Sequence, residues 1–495
     1  MVRTSARSLA VVVGAIFGIL AIGWSVTLTS AVQLLAVTVL AMGGTQHPLV
    51  DGQGGWADDP AFVSAYVDDA IRVYVAPSGA VRGDPADAEY AGVAVHTPEE
   101  FGPVFGTKTF DDSVAAGTDN LDKCVHGSAQ CVSHTMTGDP QPGAPIVVYG
   151  YSQSAVIATI EKRKLIEQYN ETGEAPDVTF VLLANPNRPN GGVLQRFDGF
   201  HIPMLDVTFS GSTPTDSEFT TVDIARQYDG WADFPAYPVN MAATANALLG
   251  IYYLHGDYWS DDVGAPLEQG QVGDTTYYLI PTERLPLLMP LHQLGVPTPL
   301  LTAMDAPLRV IVEFGYDRDP DHVGTRTRAG LIPLINPITG VTSLVLAIPT
   351  GLDDGLAEAS ADPQFRPLGT SAATSPYGVG GVELGDPMPS PEPITTTASS
   401  ESTEVAPIET PVAERNSGTQ PVPVQPVLDR PRTNILRNLV PPRGDTSSEA
   451  PAVERRPLKR LLTRLTGPRE ETQGPAAATG GGDPEPAAHS DPDAA

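Results

Sequence analysis

Pro145-Ile146-Val147-Val148-Tyr149-Gly150-Tyr151-Ser152-Gln153-Ser154-Ala155-Val156-Ile157 is a buried strand running straight into a helix. The entry is continuous, apolar and β-branched, and the exit carries Val156, Ile157, Ile160 and Leu165 at helical spacing up to Asn170-Glu171-Thr172-Gly173. Between them sits Gly-x-Ser-x-small. A serine on so tight a turn holds a strained backbone and tolerates no bulk two residues away, a demand that Gly150 and Ser154 meet. The pentapeptide alone occurs in ordinary serine-rich turns. Its strand and helix make it a nucleophile elbow, with Ser152 as the nucleophile.

Upstream, residues 34–42 read as the first core strand and close on Gly43-Gly44-Thr45-Gln46, a turn that lets backbone approach a substrate and offer an N–H to an oxyanion. Downstream, residues 178–184 form a second buried strand, so strand, helix and strand make a parallel crossover unit. Helices are expected over 60–75, 109–121 and 240–254, and further strands over 220–227 and 275–280. The apolar stretches 285–292 and 300–314 are core, with an acyl-binding wall or lid as the alternative.

A serine hydroxyl needs a histidine to take its proton and a carboxylate to hold that histidine. On this architecture the partners follow in the order Ser, Asp/Glu, His. Asp233 lies in a turn bounded by Gly230 and Pro235 and is the expected acid, with Asp229 as the alternative and Asp223 placed mid-strand. His255, at a helix end beside Gly256, is the histidine that follows shortly after. His47, His96, His126 and His134 precede the serine, His201 precedes the acid, and His489 lies in the tail.

The formal net charge of −30 argues against a nucleic-acid partner, because an acidic surface repels a polyanion. Forty-nine Pro and 48 Gly among 495 residues are too many for a folded chain throughout. From 351 onward Pro, Ser, Thr, Glu and Gly dominate, and a disordered tail is expected, interrupted at 430–469 by a basic stretch with apolar residues that could lie on an anionic surface. At the other end Arg3 and Arg7 precede an uncharged run from 8 to 48, so residues 9–28 read as a membrane-inserting segment, retained as an anchor or cleaved near Thr29-Ser30-Ala31. The expected domains are therefore 1–31, 32–350 and 351–495, with the central one outside the cytoplasm or secreted. Cys124 and Cys131, the chain's two cysteines, suit a local disulfide in an oxidising compartment. No metal motif, dinucleotide fingerprint or Walker loop occurs, so neither metal nor cofactor is expected, and the chain is expected to be a monomer.

Several stretches together carry a resemblance: Met42-Gly-Gly-Thr45, Gly150-Tyr-Ser-Gln-Ser154, Asn185-Pro-Asn-Arg-Pro-Asn-Gly-Gly192, and Tyr228-Asp-Gly-Trp-Ala-Asp-Phe-Pro235 through His255-Gly-Asp-Tyr258. From about 34 to 321 the chain resembles the PE-PPE C-terminal domain of mycobacteria and related actinomycetes, a cutinase-like family of serine hydrolases. That resemblance implies an α/β-hydrolase fold with a central, mostly parallel sheet. It matches Ser152, Asp233 and His255 to the triad and Thr45 and Gln153 to the oxyanion-hole positions. In having a membrane segment where PE or PPE helices would stand, the chain looks like the membrane-anchored acyltransferases of this family that build acylated trehalose glycolipids. The expected activity is thus that of an exported esterase or acyltransferase on envelope acyl lipids or glycolipids. The competing reading is a catalytically idle envelope-binding module whose tail does the work.

Overall fold

Six consecutive apolar residues place β4 (Ile146–Tyr151) at the heart of an eight-stranded sheet, because a strand buried on both faces has no polar face to alternate with. Its parallel neighbours are β1 (Val37–Ala41) and β5 (Val178–Leu183). Outward on one side lie β2 (Tyr90–Val95) and, antiparallel at the edge, β3 (Ser133–Thr137). On the other side β8 (Thr221–Arg226) and β10 (Thr275–Ile280) continue the parallel pairing, and β9 (Leu267–Val272) closes the edge antiparallel. A separate two-stranded ribbon, β6 (His201–Ile202) and β7 (Val207–Thr208), precedes β8. This computed structural model describes residues 36–81, 89–260, 263–333 and 337–389.

Helices cover both faces, as parallel connections require. The first, α1 (Pro60–Asp69), runs on into a π-helical turn at Ala70–Val75 and packs with Val63, Tyr66 and Val67 buried. On the opposite face α2 (Phe110–Val125) and α3 (Gln153–Thr172) pack against each other and the sheet. The short α4 (Val193–Arg196) follows β5. Beyond β8 come α5 (Met241–Tyr253), α6 (Met289–Gln293), α7 (Thr298–Glu313) and α8 (Pro337–Ser360), with α7 and α8 lying side by side.

Strand order β3-β2-β1-β4-β5-β8-β10-β9 means that the chain leaves β1 in one direction and resumes from β4 in the other. The crevice at the carboxyl ends of β1 and β4 is the switch point where open α/β sheets bind ligands. Both the Gly43-Gly44 turn and Ser152 emerge there.

One expectation needs correction here, and one choice between readings is decided for the core. Residues 351–389 are not a tail: α8 runs to Ser360, and the following segment packs Tyr377, Val382 and Leu384 against Ala225 and Leu279, with Leu267 bridging to Pro387. The segment holds by tertiary contacts that composition does not reveal. Stretches 285–292 and 300–314 build a core with Tyr228 and Leu254 rather than an acyl wall, since the cavity above Ser152 has no lining residue beyond Gly256. The apolar segment at 9–28 and the basic stretch at 430–469 lie outside the described residues. Among the described residues no helix is long and apolar enough to cross a membrane.

Candidate active site

Ser152 takes φ 58° and ψ −115°, a conformation that an L residue adopts only where its surroundings force it. The forcing comes from both sides. Its N–H donates to Leu183 O at 3.0 Å, while Ala155 N–H donates back to Ser152 O at 3.0 Å as α3 begins. A Cβ on residue 150 would fall 2.6 Å from the Ser154 carbonyl oxygen, so only glycine fits. Ser154 does more than stay small: its hydroxyl accepts from Tyr151 N–H at 2.8 Å and donates to Tyr151 O at 3.1 Å, stitching the elbow shut.

Ser152 Oγ lies 2.7 Å from His255 Nε2. Nδ1 of the same ring meets Asp229, at 2.8 Å from Oδ2 and 3.0 Å from Oδ1. Asp229 is fully buried and its carboxylate is saturated, accepting also from the Tyr258 hydroxyl at 2.7 Å and Trp231 N–H at 3.1 Å. Burial, with Asp229 next, pushes the Tyr258 phenol well above its ordinary range, which keeps it a donor. Tyr151 donates to the carbonyl oxygen of His255 and stacks near its ring, at 5.7 Å between centroids. The histidine is held at both ends.

The expected acid, Asp233, is elsewhere. Its carboxylate is clamped by the Arg318 guanidinium at 2.7 and 3.0 Å and caps Tyr228 N–H at 2.8 Å. Arg318 in turn reaches Glu313 at 2.9 Å and lies over the Tyr316 and Tyr377 rings. The acid beside His255 is the alternative, Asp229, because β8 ends at Arg226 and Tyr228 turns the chain with φ 68°, so Asp229 has already left the sheet. Asp223, mid-strand, forms a buried ion pair with Arg188 and accepts from Asn185. The Asn185–Gly192 stretch is therefore a brace: Gly191 O accepts from Phe234 N–H and Val193 N–H reaches Trp231 O, fixing the loop that carries Asp229.

Thr45 and Gln153 line one cavity with Ser152 and His255. The Gln153 amide donates to Glu100 O at 2.9 Å and Thr45 Oγ1 at 3.4 Å, and its oxygen accepts from Ser113 at 3.0 Å. Gln46 N–H donates to Glu99 O at 2.8 Å. Both glycines of the turn are sterically required, since a Cβ on Gly43 would meet His47 O and one on Gly44 would fall 2.8 Å from the Tyr151 ring. The cavity holds about 340 Å³, and most of its wall is apolar, including Leu49, Phe62, Phe101, Phe110, Leu194 and Ile251. His47 also faces it, and burial lowers its pKa, favouring the neutral ring. Cys124 and Cys131 are joined as a disulfide with Cα atoms 4.7 Å apart, at the end of α2.

Sequence reasoning missed Tyr258 and Trp231 as supports of the acid. Both stood within the stretches quoted for the resemblance, Trp231 two residues beyond Asp229 and Tyr258 three beyond His255.

A strained serine at a strand-to-helix elbow, a histidine on its oxygen and a buried carboxylate behind it, all at the switch point of a mostly parallel sheet, define an α/β-hydrolase-type site. The PE-PPE domain pattern matches residues 88–317. Esterase PE16 of Mycobacterium tuberculosis is 39% identical over 295 residues, covering 57% of this chain and 53% of the esterase. PE family protein PE3 of the same organism is 34% identical over 352 residues, covering 69% of this chain and 67% of that protein. The SL1278 acyltransferase Chp1, also from M. tuberculosis, is 32% identical over 240 residues, covering 46% of this chain and 54% of the acyltransferase. This chain belongs to the PE-PPE domain family. It spans about half the length of the esterase and of the acyltransferase that it matches.

Proposed function

We propose that this chain is a serine esterase or acyltransferase acting on acyl lipids through an acyl-enzyme on Ser152. The observation that carries the reading is the Ser152–His255–Asp229 relay opening into an apolar cavity of about 340 Å³. Such a wall suits a hydrocarbon chain, and the few polar groups suit one ester. In this reading Ser152 Oγ attacks the ester carbonyl carbon as its proton passes to His255 Nε2. The backbone N–H groups of Thr45 and Gln153 stabilise the oxyanion. The tetrahedral intermediate collapses, the alcohol leaves with the proton from His255, and the acyl group stays on Ser152. Water or a sugar hydroxyl, deprotonated by His255, then takes the acyl group. Asp229 holds the imidazole in the tautomer that has Nδ1–H and stabilises its charged form.

The names of the relatives, one an esterase and one an acyltransferase, support either outcome of the second step. The disulfide and the uncharged N-terminal run support action outside the cytoplasm, on lipids of the envelope. The test is product analysis with purified protein, a long-chain acyl donor and trehalose, with Ser152→Ala as control. Free fatty acid means hydrolysis and acyl sugar means transfer. Turnover undiminished in Ser152→Ala would overturn the reading.

A further inference from the structure

Large apolar side chains are exposed around the mouth of the cavity on three separate segments. On the first, Phe105 lines the cavity and is 37% exposed, with Val104 beside it at 60%. On the second, the β6–β7 ribbon contributes Val207 to the lining and holds Phe200 and Met204 out in solvent at 59% and 84%. On the third, α5 lines the cavity with Tyr252, itself 55% exposed. The first two are joined: Asp111 N–H donates to Asp206 O at 3.1 Å, and Thr109 Oγ1 donates to Asp206 Oδ2 at 2.8 Å. These bonds tie the two segments into one bank, and α5 lines the same cavity.

Charge singles out these segments further. Residues 101–107, 199–205 and 240–254 contain no Asp, Glu, Lys or Arg, in a chain with 59 acidic and 29 basic residues. Exposed apolar groups scattered singly need no explanation, but an apolar collar around a reactive opening, with charge confined to Asp111 and Asp206 where two of its segments join, does.

We infer that this collar docks the protein onto an uncharged lipid surface, so that an acyl chain enters the cavity without crossing water. A lipid surface is the occupant that fits. The collar is discontinuous and surrounds an opening, which a fluid surface follows and leaves open, whereas a second copy of the chain seated on it would seal Ser152 from substrate. The three apolar segments offer no Lys or Arg to an anionic headgroup, and Asp111, Asp206 and the net charge of −30 disfavour an anionic surface, which leaves neutral lipid. The inference rests on the acyl-lipid reading of the same site.

The test uses the full chain. Because its two cysteines are joined to each other, a cysteine introduced by Met204→Cys in a Ser152→Ala background carries an environment-sensitive dye selectively. Added phosphatidylcholine vesicles should shift the emission to the blue, equally at low salt and in about 0.5 M NaCl, since apolar insertion is unscreened. In parallel, the triple variant Val104→Ser, Phe200→Ser, Met204→Ser should lose on the order of tenfold or more of its turnover of an ester carried in vesicles, while retaining turnover of a short ester dissolved as monomer. Vesicle binding with no blue shift at position 204 would place the contact elsewhere, such as on the exposed apolar residues of α8, and overturn the inference. An equal loss on both esters would also overturn it. If the parent chain turns over neither ester, the proposed function fails, while the dye still decides whether the collar docks.

Discussion

Replacing Asp229 by asparagine should abolish most turnover while leaving the fold intact. All acceptor positions of Asp229 are taken: His255 Nδ1 contacts both oxygens, Tyr258 donates to Oδ2 and Trp231 N–H to Oδ1. An amide NH₂ in either place therefore confronts a donor, and the simplest relief is for the imidazole to move its proton to Nε2, where it can no longer accept from Ser152. The lost attraction between a carboxylate and an imidazolium about 4 Å apart is worth about 4 kcal/mol at an effective dielectric of about 20. A wrong tautomer adds about 1–2 kcal/mol, giving a loss on the order of 10⁴-fold in kcat. Asp233→Asn should behave oppositely. It breaks a bidentate pair with Arg318 at 2.7 and 3.0 Å, and because Glu313 still holds the guanidinium the cost in stability should fall below the about 3–5 kcal/mol of a charge left wholly unpaired. Turnover per folded molecule should fall only a few-fold. The assay is kcat on a soluble short-chain ester for both variants, with circular dichroism and urea midpoints. A well-folded but dead Asp233→Asn beside an active Asp229→Asn would refute the reasoning.

Ser152→Ala should lose several orders of magnitude of turnover, whereas Ser154→Ala should keep most of it and instead lower the unfolding free energy read from urea titration by about 1–3 kcal/mol, because two Tyr151 backbone groups lose their partner. Gly44→Ala should cost about 10²-fold in kcat with little change in KM, since a Cβ 2.8 Å from the Tyr151 ring displaces the turn that bears Thr45; an unchanged kcat would remove that turn from the oxyanion site. Burial lifts the carboxyl of Glu99, whose oxygens have no hydrogen-bond partner, to about 8 from an ordinary 4.5. Between those values the folded state keeps a proton that the unfolded state releases, so this contribution to stability is full below about 4.5 and falls as pH rises to about 8, by up to about 1.4 kcal/mol per unit. Glu99→Gln should flatten the pH dependence of the urea midpoint over that window, and an unaltered slope would refute the assignment. Reduction of the Cys124–Cys131 disulfide should cost about 2–3 kcal/mol, as befits the short loop it closes, and mass spectrometry finding two free thiols in native protein would contradict the pairing.

The strand, elbow and first crossover were legible because their signals are local: an unbroken β-branched run, two small residues at fixed offsets and a helical stripe. Strand β2 and the edge strands β3 and β9 were not. Gly92 and Gly270 interrupt two of them, and the third, Ser-His-Thr-Met-Thr, is only half buried, so none shows a clear period. Glycine 92 is itself a tertiary requirement, as a Cβ there would fall 2.7 Å from Val67. Ser152 and His255 were readable from chain order and turn chemistry, and the structure brings them together.

Choosing between Asp229 and Asp233 depended on where β8 stops, and turn residues alone pointed to the wrong one. Gly230 and Pro235 bracket a turn that looks made to aim Asp233, yet that turn aims it at Arg318, which lies 85 residues further along the chain and could not be paired with it from spacing. Each aspartate does a job that the other cannot. Asp233 receives a full positive charge and holds the loop to Tyr228 and Glu313's neighbourhood, while Asp229 faces donors that carry partial charge, leaving its own negative charge for His255. A carboxylate already neutralised by a guanidinium would have little left to stabilise an imidazolium. The arginine thus sorts two carboxylates four residues apart into a structural one and one free to serve the histidine, and placing it needed the fold.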